Sequence, residues 1–169
     1  MNSGTKDTTA DRLAIMDVLC RYARGIDRCD LDTLLGVWWP GATADFGHGI
    51  GDAAEWSTAT VAALRAMLRT QHMLGNMIID IAGDRADSET YCRAYHEAET
   101  FDGPVEIVVG GRYLDVLEKR GGAWRILTRR YVMDWNTNTP STARWDDGLY
   151  ATLTRRGGRF PDDPLYNGA

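Results

Sequence analysis

The sequence predicts an α+β domain in which helices come first and a curved antiparallel sheet follows. Two observations carry this. Before residue 70, apolar residues recur at three- and four-residue spacing in three segments, each opened by a capping residue. From residue 72 onward the period drops to two, and Gly83-Asp84, Asp102-Gly103 and Gly121-Gly122 divide the run into four strands. Helices followed by hairpin-linked strands imply helices packed on one face of a twisted sheet. The expected shape is a cone-shaped α+β barrel: three N-terminal helices pack on a curved, mainly antiparallel sheet and leave a cavity.

Taken in order, residues 1 to 8 read as a loose tail. Thr9 or Asp11 can cap the first helix, and Leu13, Ile15, Met16, Leu19, Tyr22, Ala23 and Ile26 form its apolar stripe to about residue 28. Gly25 weakens the last turn. Asp30 caps a second, short helix that ends before Pro40. A short strand at 42 to 46 and a glycine-rich turn follow. Asp52 caps the third helix, from Ala53 to about Arg69, with Trp56, Val61, Leu64 and Met67 or Leu68 on its buried side. The four strands span roughly 72–82, 86–101, 104–119 and 122–136. Residues 1–137 form a single domain. The extension at 138–169 carries Trp145, Leu149, Tyr150, Phe160 and Tyr166, too apolar for a free tail. It is expected to fold back over a pocket or onto a neighbouring subunit.

Composition excludes several classes. Hydrophobic residues at 44% and charged residues at 25% are ordinary globular usage. A net charge of -5 gives no electrostatic reason to bind nucleic acid or an anionic membrane. No run approaches the roughly 18 apolar residues of a membrane span, and the polar N-terminus has no secretory signal. Cys20, Cys29 and Cys92 show no metal-binding spacing, so reduced thiols in a cytoplasmic setting are the simplest reading. No phosphate loop or dinucleotide fingerprint is present.

Candidate chemistry centres on Asp27, at the end of the first helix, and His72, where the strands begin. A carboxylate that holds one ring nitrogen of a histidine fixes its tautomer and stabilises the imidazolium formed when the other nitrogen takes a proton. Each residue also has a plainer reading. Asp27 could pair with Arg24 or Arg28, and His72 could interact with a helix terminus. Strand alternation turns Ser88, Thr90, Cys92, Ala94 and His96 toward the concave face. On the last strand it places Leu127, Arg129, Tyr131, Met133 and Trp135 on one side. An arginine in that company awaits an anion, snorkels, or pairs with a cross-strand acid. Tyr22 and the tryptophans, Trp39 among them, could wall a pocket or fill a core.

The segments Y-A-R-G-I-D-R-C-D-L-D-T-L, W-W-P-G-A-T-A-D-F-G, H-M-L-G-N, Y-C-R-A-Y-H and G-A-W-R-I-L-T-R-R resemble the nuclear transport factor 2-like superfamily. Within it they are most similar to the SnoaL-like branch of hexachlorocyclohexane dehydrochlorinase, bile acid 7α-dehydratase and scytalone dehydratase, over residues 10 to 137. The resemblance implies a His72–Asp27 dyad. Tyr22 falls on a tyrosine of the bile acid dehydratase, where the dehydrochlorinase has a lysine. Arg129 falls on a pocket arginine, and His96 resembles the second histidine of scytalone dehydratase. The implied function is a cofactor-independent lyase, most directly a dehydratase, acting on a small hydrophobic cyclic or polycyclic molecule. Isomerisation, cyclisation or simple ligand binding are the alternatives. His72, Asp27, Tyr22 and Arg129 are the expected catalytic residues; His96, Tyr131, Trp135, Trp39 and Cys92 are expected to touch substrate. No metal is expected, and a homo-oligomer, dimer or trimer, is the expected assembly.

Overall fold

A computed structural model describes residues 7–168, so most of the loose lead-in expected at 1–8 lies outside the described residues. Helix α1 runs Thr9–Arg28, α2 Leu31–Gly36 and α3 Ala53–Leu64. The strands are β1 Trp38–Asp45, β2 Ile50–Asp52, β3 Arg69–Ala82, β4 Arg85–Ala98, β5 Val105–Arg120 and β6 Ala123–Pro140. They form one curved sheet in the order β2-β1-β6-β5-β4-β3, antiparallel throughout except for the β1–β6 pair. The predicted fold class holds. Several boundaries move: β1 begins at Trp38 and includes Pro40, α3 stops at Leu64, which lets β3 start at Arg69, β4 ends at Ala98, β6 runs on to Pro140, and the expected glycine-rich turn contains the short strand β2.

Local chemistry explains the helical end of the molecule. Ile15, Leu19, Tyr22, Ala23 and Ile26 are buried along one stripe of α1. That helix closes with Cys29 in the left-handed region (φ 51°), its N–H donating to Ile26 and the next N–H to Gly25. Asp30 then caps α2, accepting from the Thr33 N–H at 3.0 Å. Gly25 has a second purpose that composition did not reveal. A Cβ there would stand 3.0–3.1 Å from the backbone of Leu34, so its absence lets α2 lie directly against α1.

The core lies between the helices and the covered face of the sheet. Trp38 turns into it and donates to Ser57 Oγ at 3.1 Å, while Tyr22, Trp38 and Tyr113 meet edge to face. Alternation along β4 holds from Ala86 to Ala94, with even-numbered residues buried. On β6 it does not, because two bulges interrupt the register. One falls between Ile126 and Thr128, and the second leaves Asp134 as an extra residue between Met133 and Trp135. The pair Gly111–Met133 faces the helices, whereas Gly110–Trp135 faces away. The Trp135 indole occupies the space a Cβ on Gly110 would need.

A methyl at Gly111 would sit 2.3 Å from the Val132 carbonyl and against Tyr131. Gly111→Ala is therefore expected to cost about 1–3 kcal/mol, read as a lower urea midpoint with unchanged slope.

Candidate active site

Asp27 leaves the last turn of α1 toward the edge strand β3, where it holds one residue twice. Its Oδ1 lies 2.7 Å from His72 Nδ1, and its Oδ2 accepts the His72 backbone N–H at 2.8 Å. Both side chains are about nine-tenths buried. With a carboxylate at Nδ1, the proton belongs on that nitrogen, which leaves Nε2 with a lone pair and no hydrogen-bonding partner among the described residues. The separation of 45 positions between the two is spanned because β3 runs beside α1 and begins just after α3 ends.

The dyad opens on a hollow of about 410 Å³ between α1 and β3, walled by Ala23, Met73, Leu74 and Met77, with Arg24 at its edge. His96 completes the local chemistry. Thr70 pairs with His96 and His72 with Ala94 across the β3–β4 ladder, so the two imidazoles meet edge to face with centroids 5.3 Å apart. Burial, reinforced by His72, lowers the His96 pKa from 6.5 to about 4. The unfolded chain thus binds a proton there that the folded chain refuses between these values. Stability is expected to fall as pH drops from about 6.5 toward 4, then level off. His96→Gln should flatten that part of the slope in urea denaturation measured at successive pH values.

The carbonyl of Asp27 is held from the far end of the chain. Arg159 Nη1 donates to it and, at 2.8 Å, to Thr70 Oγ1, and Nη2 reaches the Leu64 carbonyl at 3.4 Å. Around it, Phe160 donates its N–H to the Arg28 carbonyl at 2.6 Å, Tyr166 donates to Asp30 at 2.8 Å, and Asp163 pairs with Arg28 at 3.1 Å. Sequence reasoning flagged the apolar residues of this extension but not Arg159. A run of arginines amid glycines gives no period from which to read a partner.

Other expected site residues stand elsewhere. Arg129 is fully buried and forks onto Asp115, with Nε and Nη2 each 2.7 Å from a carboxylate oxygen. Its guanidinium lies 3.8 Å from the Tyr22 ring centroid and 4.0 Å from that of Tyr113. The cross-strand pair that the last strand allowed is what forms, and it supersedes the expectation of a free anion receptor. Tyr22, five residues before Asp27, leaves α1 about 140° around the helix from it. It packs in the aromatic core, where burial pushes its pKa up to about 12, and it makes no hydrogen bond to the dyad. Tyr131 joins Phe46 and Tyr113 in the same cluster, with centroids 5.8 and 5.6 Å away. Cys92 is buried, its thiol pKa raised chiefly by burial. Two placements are corrections. Trp135 is on the outer face because of the Asp134 bulge. Trp39 alternates with the buried Trp38, donates to the Glu118 carbonyl at 2.9 Å and lies beneath Arg120 and Arg125.

A model of the SnoaL-like domain matches residues 7–130. The chain belongs to the SnoaL-like domain family. No curated protein matches it. Among solved structures, this SnoaL-like chain is similar to the Kfla4162 protein from Kribbella flavida, at 24% identity over 78% of this chain and 95% of that one, with a TM-score of 0.72. A type 2 hexachlorocyclohexane dehydrochlorinase matches at 19% identity over 83% and 96%, TM-score 0.72. A scytalone dehydratase-like protein from Novosphingobium aromaticivorans matches at 17% over 80% and 90%, TM-score 0.67. At these identities the likeness is one of fold. The SnoaL-like fold is thus shared with dehydrochlorinases and dehydratases, within the nuclear transport factor 2-like superfamily. Among the described residues no helix is long and apolar enough to cross a membrane.

Proposed function

We propose that this SnoaL-like protein is a cofactor-independent lyase that dehydrates a small hydrophobic cyclic molecule, with His72 as base and Asp27 as its orienting carboxylate. The observation that carries the reading is the double grip of Asp27 on His72, through ring and backbone, which fixes both the tautomer and the direction of the imidazole. The apolar wall of Ala23, Met73, Leu74 and Met77 favours a carbon-rich ligand.

In this scheme Nε2 removes a proton from carbon next to a carbonyl. The C–H electron pair becomes the new double bond, and the C–O bond to the β-hydroxyl breaks with its pair on oxygen. The imidazolium, stabilised by Asp27, returns the proton to that oxygen and water leaves. Tyr22, expected to be catalytic, lies in the aromatic core, which favours the imidazolium as the proton donor for this last step. His96 is held neutral near neutral pH and adds no competing positive charge beside the forming imidazolium.

The test begins with what the purified protein carries. Small molecules extracted from it are identified by mass spectrometry, and a panel of cyclic β-hydroxy ketones is followed for the absorbance of the conjugated enone. Enone formation that is lost in His72→Ala is expected. A protein that turns over none of them, yet retains an extracted ligand with equal affinity in His72→Ala and Asp27→Asn, is a binding protein, and the lyase reading fails.

A further inference from the structure

A second cleft, of about 430 Å³, adjoins the dyad's hollow where the extension crosses the start of β3, with Arg28 lining both. Four guanidinium groups line it, Arg28, Arg69, Arg156 and Arg159, and its wall contains no aspartate or glutamate. In a chain of net charge -5 this concentration of one sign is local. Three of the four have acidic partners, but those stand outside the wall. Glu97 pairs with Arg69 from a buried position, Asp163 pairs with Arg28 from another, and Asp146 meets Arg156 at 3.0 Å.

Arg159 differs. All its hydrogen bonds go to uncharged oxygens, the carbonyls of Asp27 and Leu64 and the hydroxyl of Thr70. Its charge is held rigid without a carboxylate of its own, while Asp27 turns both carboxylate oxygens to His72. Donors are also left over. Among the described residues, Arg28 meets its acid through Nε at 3.1 Å, and Arg69 donates to its acid through Nη1 alone. Trp145, stacked beneath Arg69 at 3.6 Å, has a buried indole N–H with no partner. A buried donor without an acceptor, beside fixed guanidinium groups, is the complement of a ligand that brings oxygen acceptors and negative charge.

We propose that this cleft binds an oxyanion, either free inorganic phosphate or the phosphate group of a larger ligand. Arg159 supplies the uncompensated charge and Trp145 a neutral donor. Preorganisation favours it, since the arginines are already held by the fold and little side-chain freedom remains to be lost on binding.

The test follows the Trp145 indole N–H resonance of the full chain, assigned with Trp145→Phe, during titration with sodium phosphate at constant ionic strength. A saturable shift is expected, absent with chloride and weakened at least tenfold in both Arg159→Gln and Arg156→Gln. Phenyl phosphate binding more tightly than phosphate would identify the group of a larger ligand, and equal affinity a free ion. His72→Ala should bind phosphate as the wild type does, so the result is independent of the lyase reading. No shift in the wild-type protein, or an equal shift with chloride, overturns the proposal.

Discussion

His72→Ala is expected to lower turnover by a factor on the order of 10²–10⁴, the usual contribution of a positioned general base, while the protein stays folded. The fold survives because Asp27 keeps its second bond, from the backbone N–H of residue 72. Asp27→Asn is the more diagnostic change. The carboxylate accepts two N–H groups of the same residue, whereas an amide offers one acceptor and two donors. Either the backbone bond is lost, or the imidazole must move its proton to Nε2 and so lose the lone pair that does the work. A comparable loss of activity is expected with only about 1–3 kcal/mol of stability removed. Steady-state turnover beside urea unfolding of both variants checks this. An Asp27→Asn protein that unfolds readily but keeps its turnover would make the carboxylate a strut and nothing more.

The second large effect concerns stability. The side chains of Arg129 and Asp115 are completely buried and meet in a two-pronged contact that leaves only Arg129 Nη1 without a hydrogen-bond partner. Arg129→Ala strands the carboxylate in the core, and about 3–5 kcal/mol of stability should go with it. The double variant Arg129→Met with Asp115→Leu removes both charges and should recover much of that loss, because no ion is then left without its counterpart. Thermal and urea unfolding of the single and double variants give the comparison. If the single variant unfolds like the wild type, the pair is not what holds β5 to β6 at this point.

Much of this was legible in the chain. Period and turn residues gave the strands β3 to β6 closely, because Gly83, Gly121 and their neighbours leave little choice of hairpin. Asp27 and His72, singled out from the sequence, do meet. What escaped was whatever depends on register. A bulge inserts one residue and turns everything after it over, so no rule of parity could have kept Trp135 off the pocket face once Asp134 was skipped. The partner of Arg129 was hidden for a related reason. Asp115 is 14 residues away, and only the hairpin's register brings them opposite. The reach of Arg159 to Asp27 spans 132 residues and follows no period at all.

That last separation has a consequence in time. At about 5–20 residues per second, synthesis of the intervening chain takes on the order of ten seconds. Throughout that interval the residues carrying the acid have been made, but the guanidinium that will steady its carbonyl has not. The brace on the Asp27 carbonyl is thus the last part of this arrangement to be made, after the acid, the imidazole and the whole sheet.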